Sequence, residues 1–121
     1  MKKIISKSFY FEAAHKLSNT ENEENKNIHG HSYFVEIFII EQSNEINKSG
    51  LILDFSIFQN KLDFIKKDLD HRFLNEISGL DNPTLENIGL YIYKRLKKMD
   101  LHLYKILVKR KSCGETFILK V

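Results

Sequence analysis

Three histidines occupy positions from which their side chains could bind one metal ion. His15 ends an alternating segment, FEAAH, and His29 and His31 are two residues apart in HGHSY. Side chains at i and i+2 of an extended chain point to the same face, and a neighbouring strand can supply a third imidazole. Three neutral imidazoles with one open position are typical of catalytic zinc sites. The alternative is three ordinary polar residues near a loop, but Gly30 allows the close backbone approach that a metal site requires.

Other side chains could move protons. In LDHRFLN, Asp70 precedes His71, and a carboxylate can tune an imidazole or hold it in one tautomer. Adjacent residues generally point to different faces, so this can equally be a polar pair at a helix end. The acidic loop ahead of the HGH segment includes Glu24, which could act as a general base or simply be solvated. Cys113 lies at a hairpin turn, a position that gives little support to a nucleophilic role, and His102 has no partner pattern and is expected at the surface.

Composition excludes several classes of protein. The chain has 121 residues, the size of one domain spanning 1–121, and its net charge of +3 is spread over short lysine runs. These runs lack the interleaved aromatic residues of a nucleic-acid surface, so we expect no nucleic-acid partner. One cysteine excludes an intrachain disulfide and a cysteine-based zinc cluster. No segment has the apolar length of a membrane span or signal peptide, so we expect a soluble, cytoplasmic protein.

Strand patterns lie at both ends of the chain. Residues 1–15 alternate, and residues 32–42 are rich in β-branched and aromatic side chains, with a polar loop at 18–27 between them. A turn at 47–50 leads to a predicted short strand, LIL, ending at Asp54. Residues 105–111 and 115–121 predict a hairpin closed at Cys113-Gly114, in which Glu115 would oppose Ser112.

Helix patterns occupy the middle of the chain. Asp54 is a good N-cap for a helix with apolar residues every three or four positions up to Leu69, and Asn82-Pro83-Thr84 opens a second helix. The order β, β, β, α, α, β, β predicts an α+β fold, an antiparallel sheet with helices packed on one face. Open sheet edges in so small a domain favour oligomerisation.

The segments FEAAHKL, HGHSYFVEI, GLILDF, LDHRFLN and LDNPTLENIG together resemble the pyruvoyl-tetrahydropterin and carboxytetrahydropterin synthase family, in the family's order. The chain most resembles the short bacterial carboxytetrahydropterin synthases of queuosine precursor synthesis. The resemblance implies the tunnelling fold, a four-stranded antiparallel sheet with two helices. It also implies sheets joined into barrels in a trimer or hexamer of identical chains, with active sites between subunits.

The same resemblance implies the chemistry. Zinc would be held by His15, His29 and His31, and would bind the side-chain hydroxyls of dihydroneopterin triphosphate. Asp70 and His71 match the family's catalytic proton relay. The resemblance thus implies a lyase that removes triphosphate as side-chain bases move protons.

Two positions depart from the family pattern. Asn25 stands where the family has its proton-abstracting cysteine, and a neutral amide cannot take that role. Glu24 is one residue away, and some family members use a glutamate in this loop. Arg110 stands where the family has a glutamate that accepts hydrogen bonds from the pterin ring. Arginine only donates, so Arg110 could instead bind an anionic substrate, or it could pair with a neighbouring acid.

Three hypotheses follow from these residues. The first is a zinc-dependent lyase of the carboxytetrahydropterin synthase type with a replaced base. The second is a diverged zinc enzyme on the same scaffold that acts on a different, anionic small molecule. The third is a non-catalytic paralogue that binds a ligand or joins a related assembly.

Overall fold

A single five-stranded sheet organises residues 1–121 of the computed structural model. Its strands lie in the spatial order β3-β1-β2-β4-β5. All neighbouring strands are antiparallel except β1 and β3. The strands are β1 (Ile4–His15), β2 (His29–Ile40), β3 (Arg72–Phe73), β4 (Leu103–Arg110) and β5 (Glu115–Lys120).

The predicted α+β class is confirmed, with one strand more than the four that the family resemblance implies. The additional strand, β3, has only two residues, too few to produce a recognisable alternation in the sequence. It pairs with Ala13 and Ala14 at the end of β1. This pairing brings the segment that follows the helix capped by Asp54 beside the histidine-bearing end of the sheet.

Three helices complete the fold: α1 (Glu45–Ser49), α2 (Phe55–Leu69) and α3 (Leu85–Lys97). The side chain of Asp54 accepts a hydrogen bond from the amide of Ser56, and that of Thr84 from the amide of Asn87. Both predicted helices are confirmed. They begin at these residues because each cap satisfies an amide that the first helical turn leaves unpaired.

The hydrophobic core lies between one face of the sheet and helices α2 and α3. Alternate side chains of β1 and β2, such as Phe11 and Val35, are buried against the apolar stripes of both helices, such as Phe58 and Ile88. No helix in the structure has the length and hydropathy needed to cross a lipid bilayer.

The predicted short strand at 51–53 is wrong. Helix α1 ends at Ser49 and is capped by Gly50, which has a φ of 82°, and the residues that follow form a bend. Ile52 and Leu53 pack partly against the core without pairing to any strand. Three apolar residues in a row therefore indicated burial here but not a β ladder.

Candidate metal centre

The three histidines come together at one end of the β1–β2 pair. His15 lies directly opposite His29, and Ala13 lies opposite His31. Because side chains alternate along a strand, all three imidazoles lie on the face that carries the core. His15 is completely buried, and the other two are partly exposed. The alternation in the sequence predicted this meeting, and the structure places the three residues together.

Backbone carbonyls fix the tautomers of two of these rings. Nδ1 of His15 lies 2.9 Å from the carbonyl oxygen of Pro83, and Nδ1 of His29 lies 2.8 Å from that of Asn27. A carbonyl oxygen only accepts, so each Nδ1 carries the proton and each neutral ring keeps its lone pair on Nε2. These two Nε2 atoms are 2.9 Å apart. Two facing lone pairs at this distance repel unless a proton or a metal ion lies between them.

The remaining atoms also fit a metal ion. Possible ligand atoms of the three histidines lie within 4.8 Å of one another. Nε2 of His31 is buried and has no hydrogen-bond partner. Burial lowers the pKa of His15 to about 4, and burial together with the charge of Arg110 lowers the pKa of His31 to about 4. Both rings are therefore neutral near pH 7, as zinc ligation requires, with carbonyls orienting two of them from behind.

An ion pair lies beside this cluster. Nη2 of Arg110 is 2.8 Å from Oε1 of Glu115. The prediction that Glu115 would oppose Ser112 is wrong, because residues 111–114 form the turn and Glu115 lies directly opposite Arg110. The turn at residues 111–114 also contacts the cluster, since Sγ of Cys113 lies 4.0 Å from Nδ1 of His31.

Asp70 and His71 touch each other, although adjacent side chains usually diverge. Oδ2 of Asp70 is 3.0 Å from Nδ1 of His71, because His71 adopts a left-handed backbone conformation with a φ of 60°. The backbone of Glu12 holds both residues. Its amide donates to Asp70 over 2.8 Å, and its carbonyl accepts from the amide of His71. The bond from the Glu12 amide and the contact with His71 lower the pKa of Asp70.

A groove of about 580 Å³ lies beside His71 at this end of the sheet. It is lined by His71, His31, Glu12 and Ser32, among others. The side chain of His71 is 79% exposed and so is open to a molecule in the groove. His31 and His71 thus both border this groove, although Glu12 and Ser32 lie on the sheet face opposite to that of the three imidazoles.

Glu24 lies outside the histidine cluster. It is exposed on the single turn Glu23–Lys26, and its carboxylate is not among the groups that surround a possible metal ion. The neighbouring Asn25 fixes this loop, because its carbonyl accepts a hydrogen bond from the amide of Leu17.

Sequence reasoning missed several residues that support the site. The hydroxyl of Tyr33 lies 3.3 Å from Nδ1 of His15, and burial raises the pKa of Tyr33. Its position two residues after His31 was a usable signal, since both then share a face. The roles of the Pro83 and Asn27 carbonyls had no signal, because any residue can supply a carbonyl.

Comparison with known proteins identifies relatives of this chain. The family model described as 6-pyruvoyl tetrahydropterin synthase matches residues 4–118. A 6-carboxy-5,6,7,8-tetrahydropterin synthase from Synechocystis sp. is 33% identical, over 94% of this chain and 92% of that relative. A dihydroneopterin monophosphate aldolase from Pyrococcus furiosus is 42% identical, over 73% of this chain and 69% of that relative. These relatives support an enzymatic role.

Solved structures show the same fold. The 6-pyruvoyl tetrahydropterin synthase of Caenorhabditis elegans superposes with a TM-score of 0.84 at 23% identity, over 100% of this chain and 96% of that one. A Plasmodium falciparum 6-pyruvoyl tetrahydropterin synthase superposes with a TM-score of 0.71 at 21% identity, over 98% of this chain and 96% of that one. With the family model and the Synechocystis relative, this chain belongs to the 6-pyruvoyl tetrahydropterin synthase family.

Proposed function

We propose that this protein is a zinc-dependent lyase of the 6-carboxytetrahydropterin synthase type, acting on 7,8-dihydroneopterin triphosphate in queuosine precursor synthesis. The observation that carries the zinc requirement is the pair of Nε2 atoms of His15 and His29, 2.9 Å apart with both Nδ1 atoms committed to carbonyls. The names of the relatives support the pterin substrate. As in the family, we propose a trimer or hexamer with active sites between subunits.

The residues of the cluster would hold the zinc ion. His15, His29 and His31 supply three neutral nitrogen ligands and leave a position for substrate. Zinc, when bound, polarises a substrate oxygen and makes loss of a neighbouring proton easier.

Proton transfer falls to the Asp70–His71 pair. Asp70 accepts from Nδ1 of His71, which leaves Nε2 of the exposed ring to take or return a proton at the substrate. The bond from the Glu12 amide keeps Asp70 ionised and oriented, so the imidazole remains in one tautomer.

Glu24 is our proposed replacement for the family's cysteine base. It lies one residue from Asn25, on the loop that leads into His29 and is attached through Asn25 to Leu17. An exposed loop carboxylate can approach a substrate bound at the cluster, as functional residues on loops commonly do.

A second candidate reaction is that of a dihydroneopterin monophosphate aldolase. It is favoured by the 42% identity to the Pyrococcus furiosus relative over 88 residues. The two candidates differ in the phosphorylation of the substrate and in the bond that is broken. Product analysis therefore separates them.

The test uses the purified assembly loaded with Zn²⁺. It is offered dihydroneopterin triphosphate and, separately, the monophosphate, and the pterin products and released phosphates are identified by chromatography. We expect turnover of the triphosphate, little turnover in Glu24→Gln and unchanged turnover in the matched control Glu23→Gln. Turnover of the monophosphate alone would establish the aldolase instead.

Two further results would contradict the proposal. Absence of turnover on both substrates would favour the diverged enzyme or the non-catalytic paralogue. Zinc content that is unaffected by His29→Ala and His31→Ala would contradict the assignment of these histidines as zinc ligands.

A further inference from the structure

We infer that the Arg110–Glu115 ion pair recognises the edge of a heterocyclic ligand that presents a carbonyl oxygen beside ring and amino N–H donors. The inference rests on the proposed function in one respect, that the ligand lies at the histidine cluster. It assigns the recognising carboxylate to Glu115 on β5, rather than to the β4 position now held by Arg110.

The hairpin register places the two side chains together. Arg110 ends β4 and Glu115 begins β5 directly opposite, so both project from the face that carries the core. The ion pair uses one carboxylate oxygen, Oε1, at 2.8 Å from Nη2, and the Glu115 side chain is 50% exposed. The second carboxylate oxygen remains able to accept hydrogen bonds from a ligand.

Arg110 has a donor that the protein does not satisfy. Its side chain is only 13% exposed, and its Nε is buried without a hydrogen-bond partner. Buried donors are almost always paired, so an unpaired one beside a candidate site indicates a missing acceptor. A ligand carbonyl oxygen or ring nitrogen could supply it.

The pair lies next to the histidines. The charge of Arg110 acts on both His31 and His15, and the turn that follows Arg110 brings Cys113 within 4.0 Å of His31. A ligand in contact with the cluster therefore comes within reach of this pair.

The chemistry of the pair selects the ligand. A guanidinium only donates and a carboxylate only accepts. Together they match an edge with one acceptor and adjacent donors, which is the lactam and amino edge of a pterin ring. A simple carboxylate or phosphate would be attracted by Arg110 but repelled by Glu115, so the pair disfavours a purely anionic ligand.

The experiment measures equilibrium binding to the zinc-loaded assembly rather than turnover. The probes are neopterin, its 2,4-diamino analogue with the same side chain, in which an amino donor replaces the carbonyl acceptor, and inorganic phosphate. We expect the wild type to bind neopterin and to prefer it over the diamino compound. Glu115→Gln should bind neopterin at least about tenfold more weakly, since each lost charged hydrogen bond has an effect of that order.

Arg110→Gln provides the readout that a purely structural role would not change. Its amide can accept a hydrogen bond, so the preference for neopterin over its 2,4-diamino analogue should fall or reverse. Glu86→Gln, on the exposed surface of α3, is the matched control. Zinc content and melting temperature of each variant show whether the fold and the metal site are intact.

Several results would overturn the inference. These are no neopterin binding by the wild type, unchanged affinity in Glu115→Gln, and an unchanged preference in Arg110→Gln. Tighter phosphate binding in Glu115→Gln without loss of neopterin affinity would instead identify an anion site. If turnover fails while these binding effects persist, the inference stands and the proposed reaction falls. If turnover occurs but both variants bind neopterin as the wild type does, the proposed reaction stands and the inference about Arg110 and Glu115 falls.

Discussion

Removal of His29 should have opposite consequences in the metal-free and the zinc-loaded protein. Without a cation, Nε2 of His29 faces Nε2 of His15 at 2.9 Å with both lone pairs exposed to each other. His29→Ala removes this repulsion and, because His29 is only partly buried, little packing. The metal-free variant should therefore be as stable as the metal-free wild type, or slightly more stable, whereas its stabilisation by Zn²⁺ should largely disappear.

The expected size follows from ligand linkage. Zn²⁺ at about 100 times its Kd adds about 2.7 kcal/mol to the free energy of unfolding. For 121 residues, an unfolding entropy of about 2.1 cal/mol/K per residue corresponds to about 4 °C of melting temperature per kcal/mol. Zinc should therefore raise the Tm of the wild type by about 10 °C, and that of His29→Ala by at most about 2 °C.

The assay is thermal unfolding followed by circular dichroism, after treatment with a chelator and then with added Zn²⁺. Protein concentration is kept constant, because subunit association also changes the Tm. His102→Ala is the matched control, since its imidazole is exposed and lies outside the cluster. An equal zinc shift in wild type and His29→Ala would refute the assigned ligand. A metal-free His29→Ala that melts far below the metal-free wild type would refute the argument about facing lone pairs.

Two further predictions concern stability. Asp70→Asn should lower the free energy of unfolding at pH 7 by about 1 kcal/mol, since it weakens the contacts with Glu12 and His71. Because folding lowers the pKa of Asp70, its contribution is present above the ordinary value of 3.8 and is lost as pH falls through the lower folded-state value. Urea unfolding of both proteins between pH 7 and pH 3 should show the difference closing below 3.8, and a constant difference would contradict this. Gly89→Ala should destabilise by roughly 1 kcal/mol in urea unfolding, because the added Cβ would lie 2.5 Å from the ring of Phe117, and overpacking outweighs the gain in helix propensity. In a Phe117→Ala background the same change should become stabilising, and continued destabilisation there would show that the ring is not the obstacle.

Local patterns made the histidine cluster and the two long helices predictable. His15, His29 and His31 meet because alternation fixes which face each occupies, and a polar loop connects two adjacent antiparallel strands. Helices α2 and α3 were predictable because Asp54 and Thr84 cap apolar stripes of helical period. In both cases the decisive interactions are between residues close in sequence or one strand apart.

Other parts of the site depend on contacts or backbone conformations that no local pattern records. The carbonyl that orients His15 belongs to Pro83, 68 residues away. Contact between Asp70 and His71 requires a left-handed backbone at His71, which is rare for a residue other than glycine. The segment 51–53 was misassigned because apolar content alone does not distinguish a strand from a buried irregular lead into a helix.

The hairpin shows how one turn residue can decide a functional contact. Cys113-Gly114 suggested a two-residue turn, but a 3₁₀ turn at Lys111–Cys113 and a left-handed Gly114, with a φ of 68°, lengthen it to four residues. Arg110 and Glu115 therefore become direct neighbours. Because side chains alternate, a shift of the β5 register by one residue would move Glu115 to the opposite face of the sheet. The recognition proposed for Arg110 and Glu115 therefore requires this turn to keep its length, so the turn would determine specificity as much as the two charged residues do.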